Sequence, residues 1–172
     1  MNLPDKMTDL EIFLAYSVAL EEEAAGRHDE LADMMDVHNN PEVAATFRKL
    51  AHYSRLHAKE IRDHARGHDL PRIAPWDFEW ETMEGPETAD IGKVNYLMTA
   101  RQALNIAMGN EQRAHEFYFS ISEGSPDQAV RGLAAEFAAE ESGHVALLQA
   151  WIEKLPPEEE PAFDPDPPNA PD

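Results

Sequence analysis

Apolar residues recur along this chain at spacings of three and four over four long stretches, the pattern of helices that each bury one face. The first stretch covers residues 8–37, with Thr8 placed as a cap before Asp9 and Glu11. Asn39, Asn40 and Pro41 interrupt it, and Asn40 followed by Pro41 and Glu42 starts a second helix that the pattern carries to residue 67. Over residues 68–86 the periodicity dissolves into a segment holding Pro71, Pro75, Trp76, Phe78 and Trp80, read as a cover on the helices or a dimer contact. A third helix is predicted over residues 89–122. Glu123, Gly124, Ser125 and Pro126 then form a turn, with Ser125 and Gln128 as a capping box for a fourth helix ending at residue 155. The two short loops imply antiparallel hairpins, and the long middle connection can run the length of the assembly to join them. The expected fold is therefore all-α: an antiparallel four-helix bundle over residues 1–155, with one long crossover between helices two and three. Residues 156–172 are acidic and proline-rich and are predicted to be a disordered tail.

The polar residues that interrupt the apolar faces carry the chemistry. In helix one the face reads Leu10, Phe13, Leu14, Ser17, Val18, Glu21, Ala24, Ala25, His28, Leu31, with Glu21 in its middle. Glu22 would sit on a much poorer face and is the fallback. Helix three reads Ala100, Leu104, Ala107, Glu111, Ala114, Tyr118, Ile121. Helix four reads Val130, Leu133, Phe137, Ala138, Glu141, His144, Leu147, Leu148, which contains a Glu-x-x-His pair. Helix two reads Val43, Phe47, Leu50, Ala51, Ser54, His57, Ile61, so the position three before its histidine is a serine. The halves echo one another. Glu21 and His28 match Glu111 and Tyr118 at a shift of 90, and Val43, Ala51 and His57 match Val130, Ala138 and His144 at a shift of 87.

An uncompensated carboxylate in an apolar core costs several kcal/mol or stays protonated. Three carboxylates and two histidines on converging faces need a shared compensation, and divalent cations provide one. Hard oxygen and nitrogen donors suit iron or manganese, with zinc a further substitute. The alternative is a hydrogen-bonded polar layer without metal, and for Glu21 a solvated face. Tyr118 can donate to a ligand carboxylate or simply pack.

Composition narrows the classes. The chain has no cysteine, which excludes disulfides, thiolate catalysis and cysteine-held clusters within these residues. The formal net charge is −20, which repels phosphate backbones and argues against nucleic acid. No apolar run is long enough to span a membrane, and the start MNLPDKMTDLEIF lacks a signal-peptide pattern, so a soluble cytoplasmic protein is expected.

The motifs NEQRAHEFY (residues 110–118) and FAAEESGHVALL (residues 137–148), with the less specific LEEEAAGRH (residues 20–28) and LAHYSRLHA (residues 50–58), resemble the rubrerythrin branch of the ferritin-like superfamily over residues 8–155. The resemblance implies a di-iron centre held by Glu21, His57, Glu111, Glu141 and His144, with Glu141 bridging. Ser54 stands where the family has a bridging Glu, so the second ion is expected to bind more weakly. Glu60 and His64, farther along helix two, are conceivable substitutes. The resemblance also implies peroxidase or ferroxidase chemistry on hydrogen peroxide, dioxygen or ferrous iron, in a homodimer. Electrons would come from a separate donor or from ferrous iron itself, because the cysteines of a rubredoxin domain are absent here. The competing expectations are a non-enzymatic iron-binding bundle and a structural bundle with no metal.

Overall fold

The computed structural model describes residues 6–80 and 84–157. Its frame is four helices: α1 (Leu10–Val37), α2 (Pro41–His64), α3 (Ala100–Gly124) and α4 (Gln128–Lys154). Two three-residue 3₁₀ turns, Pro75–Asp77 and Ile91–Lys93, lie in the connection between α2 and α3, and no strand occurs among the described residues. The expected all-α bundle with one long crossover is what forms.

Each helix starts where a side chain can accept from its free N–H groups. Asp9, one residue beyond the expected Thr8, accepts from Glu11 N at 2.8 Å and Ile12 N at 3.2 Å. Its negative charge also suits the positive end of the helix dipole. Asn40 caps α2 with Pro41 at the first helical position. Asn39 turns the chain between the hairpin's helices with φ 59°, a left-handed conformation that asparagine tolerates.

Two expectations are corrected. Helix α3 begins at Ala100 rather than residue 89. Asp90 Oδ1 accepts from Gly92 N and Asn95 Oδ1 accepts from Leu97 N, so local side-chain turns displace the helical ladder there. Thr99 and Gln102 then form a reciprocal capping box. At the second hairpin, Asp127 caps α4, accepting from Ala129 N at 2.7 Å and Val130 N at 3.0 Å. Ser125, expected in that role, is buried and donates to Met7 O at 2.6 Å instead.

The helices bury two separate apolar clusters. One gathers Phe13, Leu14, Ile61, Tyr118, Ile121, Val130 and Phe137. The other gathers Leu31, Met35, Val43, Phe47, Leu50, Leu104 and Leu148. Each draws on all four helices, which places α1 parallel to α4 and α2 parallel to α3. The crossover therefore has to climb from one end of the bundle to the other. Phe78 and Trp80 of the crossover pack on Tyr16, with ring centroids 4.8 and 5.2 Å away, while Trp76 stays exposed. Most of the proline-rich tail, residues 158–172, lies outside the described residues.

Candidate metal centre

Between the two apolar clusters lies a layer of acids and histidines, one or more from each helix. The periodicity argument placed them on the inner faces, and that is where they are. Of the three consecutive glutamates in α1, Glu21 is fully buried. Glu22 points outward to an ion pair with Arg62, and Glu23 reaches the crossover. Glu141 is also fully buried, while Glu111 and His57 are nearly so. His144 is the most open of these five, with its side chain 34% exposed. Ser54 is buried and lines the same cavity as Glu21, His57, Glu111 and His144. Glu60 and His64 are exposed and offer nothing to the layer.

The groups are in direct contact. His57 Nδ1 lies 2.6 Å from Glu21 Oε1 and 3.5 Å from Glu141 Oε1. His144 Nδ1 lies 3.0 Å from Glu141 Oε2 and 3.2 Å from Glu111 Oε2. Glu141 therefore stands between the two imidazoles, whose ring centroids are 5.0 Å apart. Ligand atoms of His57, Glu141 and His144 all fall within 4.8 Å of one another.

Burial works against the charged form of His57. The hydrogen bond with Glu21 and the charges of Glu21 and Glu141 outweigh it and push the imidazole up to about 9. Burial likewise opposes a charged His144, and its bonds to Glu111 and Glu141 overcome it to hold the ring protonated well above neutrality. Burial drives the Glu141 carboxyl up to about 8, aided by Glu111 and Glu21 and resisted by His144. For Glu111, burial is outweighed by its bonds to His144 and Glu141, and its carboxyl is lowered. Two imidazolium protons thus compensate the carboxylates, a task that cations can take over.

The compensation is incomplete. Glu21 Oε2, Glu141 Oε1 and Glu87 Oε2 are shut off from solvent with no hydrogen-bond partner. Oxygen lone pairs in that condition call for a proton or a cation. A donor set of carboxylates and imidazoles with no sulfur suits iron, manganese or zinc. The residues present fit a metal centre.

Two members of this layer have no counterpart in the periodicity argument. Glu140 Oε2 accepts from His57 Nε2 at 3.0 Å, fixing the ring so that Nδ1 faces the other acids. The doublet Glu140–Glu141 signalled two acids at this level, but only one falls on the inner stripe. Glu87 sits in the crossover, only 2% exposed, where no periodicity could assign an inner face. Burial first, then the charges of Glu21, Glu111 and Glu141, raise its carboxyl well above the usual range.

Three further groups frame the site. His28 stacks on Phe47 with both ring nitrogens unpartnered, and burial lowers it to about 4, so it is neutral. Tyr118 is fully buried, and burial together with the charges of Glu21 and Glu141 keeps its hydroxyl protonated. Its oxygen has no hydrogen-bond partner, so of the two roles open to it, donor to a ligand carboxylate or packing, it takes the second. The cavity, about 20 Å³, opens past Tyr53, Leu147 and Trp151. The Tyr53 and Trp151 rings stand 5.5 Å apart, and Lys49 Nζ lies 3.5 Å above Trp151.

Comparison with known proteins agrees with this architecture. The rubrerythrin family profile matches residues 13–86, the half whose motifs are the less specific. A crystal structure of an uncharacterised conserved protein from Magnetospirillum magnetotacticum MS-1 is 43% identical. The match covers 89% of this chain and 99% of that one, with a TM-score of 0.63. No curated protein matches the chain. With the bundle, the acid–histidine layer and these matches together, the chain belongs to the rubrerythrin family of the ferritin-like superfamily.

Proposed function

We propose that the protein is a di-iron carboxylate oxidoreductase that reduces hydrogen peroxide or dioxygen, or oxidises ferrous iron, at the layer between the two apolar clusters. The observation that carries this reading is the set of buried, unpartnered carboxylate oxygens facing two imidazoles across one small cavity. In this reading the carboxylates of Glu21, Glu111 and Glu141 and the Nδ1 atoms of His57 and His144 would hold the ions. Bound ferrous ions would supply the two electrons that, with two protons, convert one hydrogen peroxide to two waters.

The chain's own residues set the conditions for that chemistry. Glu140 holds the His57 ring in the orientation that turns Nδ1 inward. His57 and His144 each give up a proton when a cation replaces it, so loading the site releases protons. Tyr118 keeps its hydroxyl proton beside Glu21 and Glu141 and can offer it as a hydrogen bond to a bound oxidant. Leu50, Leu147, Leu148 and Trp151 give the cavity an apolar lining. With no cysteine in these 172 residues, reducing equivalents come from outside them.

Ser54 favours a second reading, in which only one ion binds tightly and the bundle stores or carries iron without turnover. Anaerobic loading with ferrous iron, then hydrogen peroxide with optical detection, separates the two. Two irons per chain with rapid oxidation supports the oxidoreductase. One iron with no spectral change leaves the binding protein. In either case Glu141→Ala is expected to abolish stoichiometric iron.

A further inference from the structure

Glu87 reaches the acid–histidine layer from a stretch of chain that is not helical, and the structure holds it there deliberately. It occupies the third position of a turn closed by Thr88 N donating to Gly85 O at 3.0 Å, with Pro86 before it. Three charged side chains from the bundle fasten that turn on both flanks. Glu23 of α1 accepts from Gly85 N at 3.1 Å and from Thr88 Oγ1 at 2.8 Å. Arg27 of α1 donates to Ala89 O at 2.7 Å and pairs with Glu84 at 2.6 Å. Arg113 of α3 donates from Nε to Pro86 O at 2.9 Å and lies 3.4 Å from Thr88 O. An added Cβ at Gly85 would meet Glu23 Oε2 at 3.3 Å, so glycine leaves that carboxylate room to accept from the Gly85 N–H.

The result is a buried carboxylate lining the same cavity as Ser54, Glu21, His57, Glu111 and His144, with Oε2 unpartnered. An acid buried there needs a proton or a cation to compensate it, and its side chain meets that of Glu21, a second carboxyl of the layer. Ser54 is too short to carry a ligand oxygen into the space that a longer acid would fill, and Glu87 enters that cavity from another direction. Bundle di-metal sites use four carboxylates and two histidines, whose four negative charges balance two divalent ions. The helices here supply three carboxylates: Glu21, Glu111 and Glu141. Glu87 makes four.

We propose that Glu87 is a metal ligand, the crossover's carboxylate standing in for the one that α2 lacks at Ser54. This rests on the metal-site reading above and deepens it. The donor set becomes Glu21, Glu87, Glu111, Glu141, His57 and His144. The second ion is then held as firmly as in a site with all its carboxylates on helices.

The test is calorimetric titration of the full chain with ferrous iron alone, anaerobically, on wild type, Glu87→Gln, Ser54→Glu and the double variant. Thermal melts of the metal-free forms accompany it. Glu87→Gln is expected to melt no lower than wild type when metal-free, because a neutral amide of the same size replaces a buried acid. It is expected to weaken one iron site by at least about 10-fold, the scale that even an outer partner of a ligand commands. Adding Ser54→Glu to Glu87→Gln is expected to restore that site. Unchanged iron binding in Glu87→Gln would overturn the proposal and make Glu87 a structural acid. So would a loss that Ser54→Glu does not repair. If wild type itself takes up no iron, the metal-site reading fails first, a result distinct from wild type binding two ions regardless of Glu87.

Discussion

His28 illustrates how a single buried group sets the response of the metal-free protein to pH. Burial lowers it from 6.5 to about 4, so between those values the unfolded chain holds a proton that the folded chain does not. The stability it permits is complete above pH 6.5 and is lost as pH falls through 4. Relative to His28→Phe, which keeps the contact with Phe47, wild type should lose roughly 3 kcal/mol over that interval. Urea unfolding of both metal-free proteins at pH 7.5 and pH 4 measures it, and a constant difference between them would refute it. At this scale the sequence was informative wherever a residue lay on a periodic face. Glu21, not Glu22, is inward because only it continues the stripe of Phe13, Leu14 and Ser17. Glu87 was illegible, because an acid between proline and threonine in an aperiodic segment reads as solvated, and only tertiary hydrogen bonds turn it inward.

At the level of helices, apolar period located all four, and local capping chemistry moved their ends. Ile91, Val94 and Leu97 mimic a helical stripe, but Asp90 and Asn95 use their side chains on nearby N–H groups, and Ile91 and Leu97 stay exposed. The Ser125–Gln128 signature was outcompeted by Asp127, whose carboxylate accepts from two N–H groups. Asp127→Ala should therefore cost about 1 kcal/mol of stability, while Gln128→Ala should change it by only a few tenths. Chemical denaturation of the two variants checks this, and equal losses would restore the capping box. The crossover gains its order from elsewhere: Glu23, Arg27 and Arg113 replace backbone ladders as its attachment. Such side-chain attachments join residues 62 apart in sequence for Glu23 and Arg27 and 27 apart for Arg113, beyond the reach of any local pattern.

The whole molecule concentrates negative charge, −20 over 172 residues, around a layer that itself holds more acids than imidazoles. That charge draws cations toward the surface, and a cation held in the layer would link metal to fold. Ferrous iron in about 100-fold excess over its dissociation constant should add about 3 kcal/mol per ion, a rise in Tm of roughly 5–10 °C. Anaerobic calorimetry with and without a chelator reads it directly, and a coincident melt would argue for a purely hydrogen-bonded layer. No helix among the described residues is long and apolar enough to cross a membrane. The mouth of the cavity has a consequence of its own. Tyr53 hangs on α2 and Trp151 on α4, so the two leaves of this doorway belong to different hairpins. Widening it takes a turn of these two side chains or a rocking of one hairpin against the other, not the swing of a loop. A covalent tether between the hairpins near this rim tells the two apart: it would slow the entry of ions under rocking and leave it unchanged if the rings alone turn.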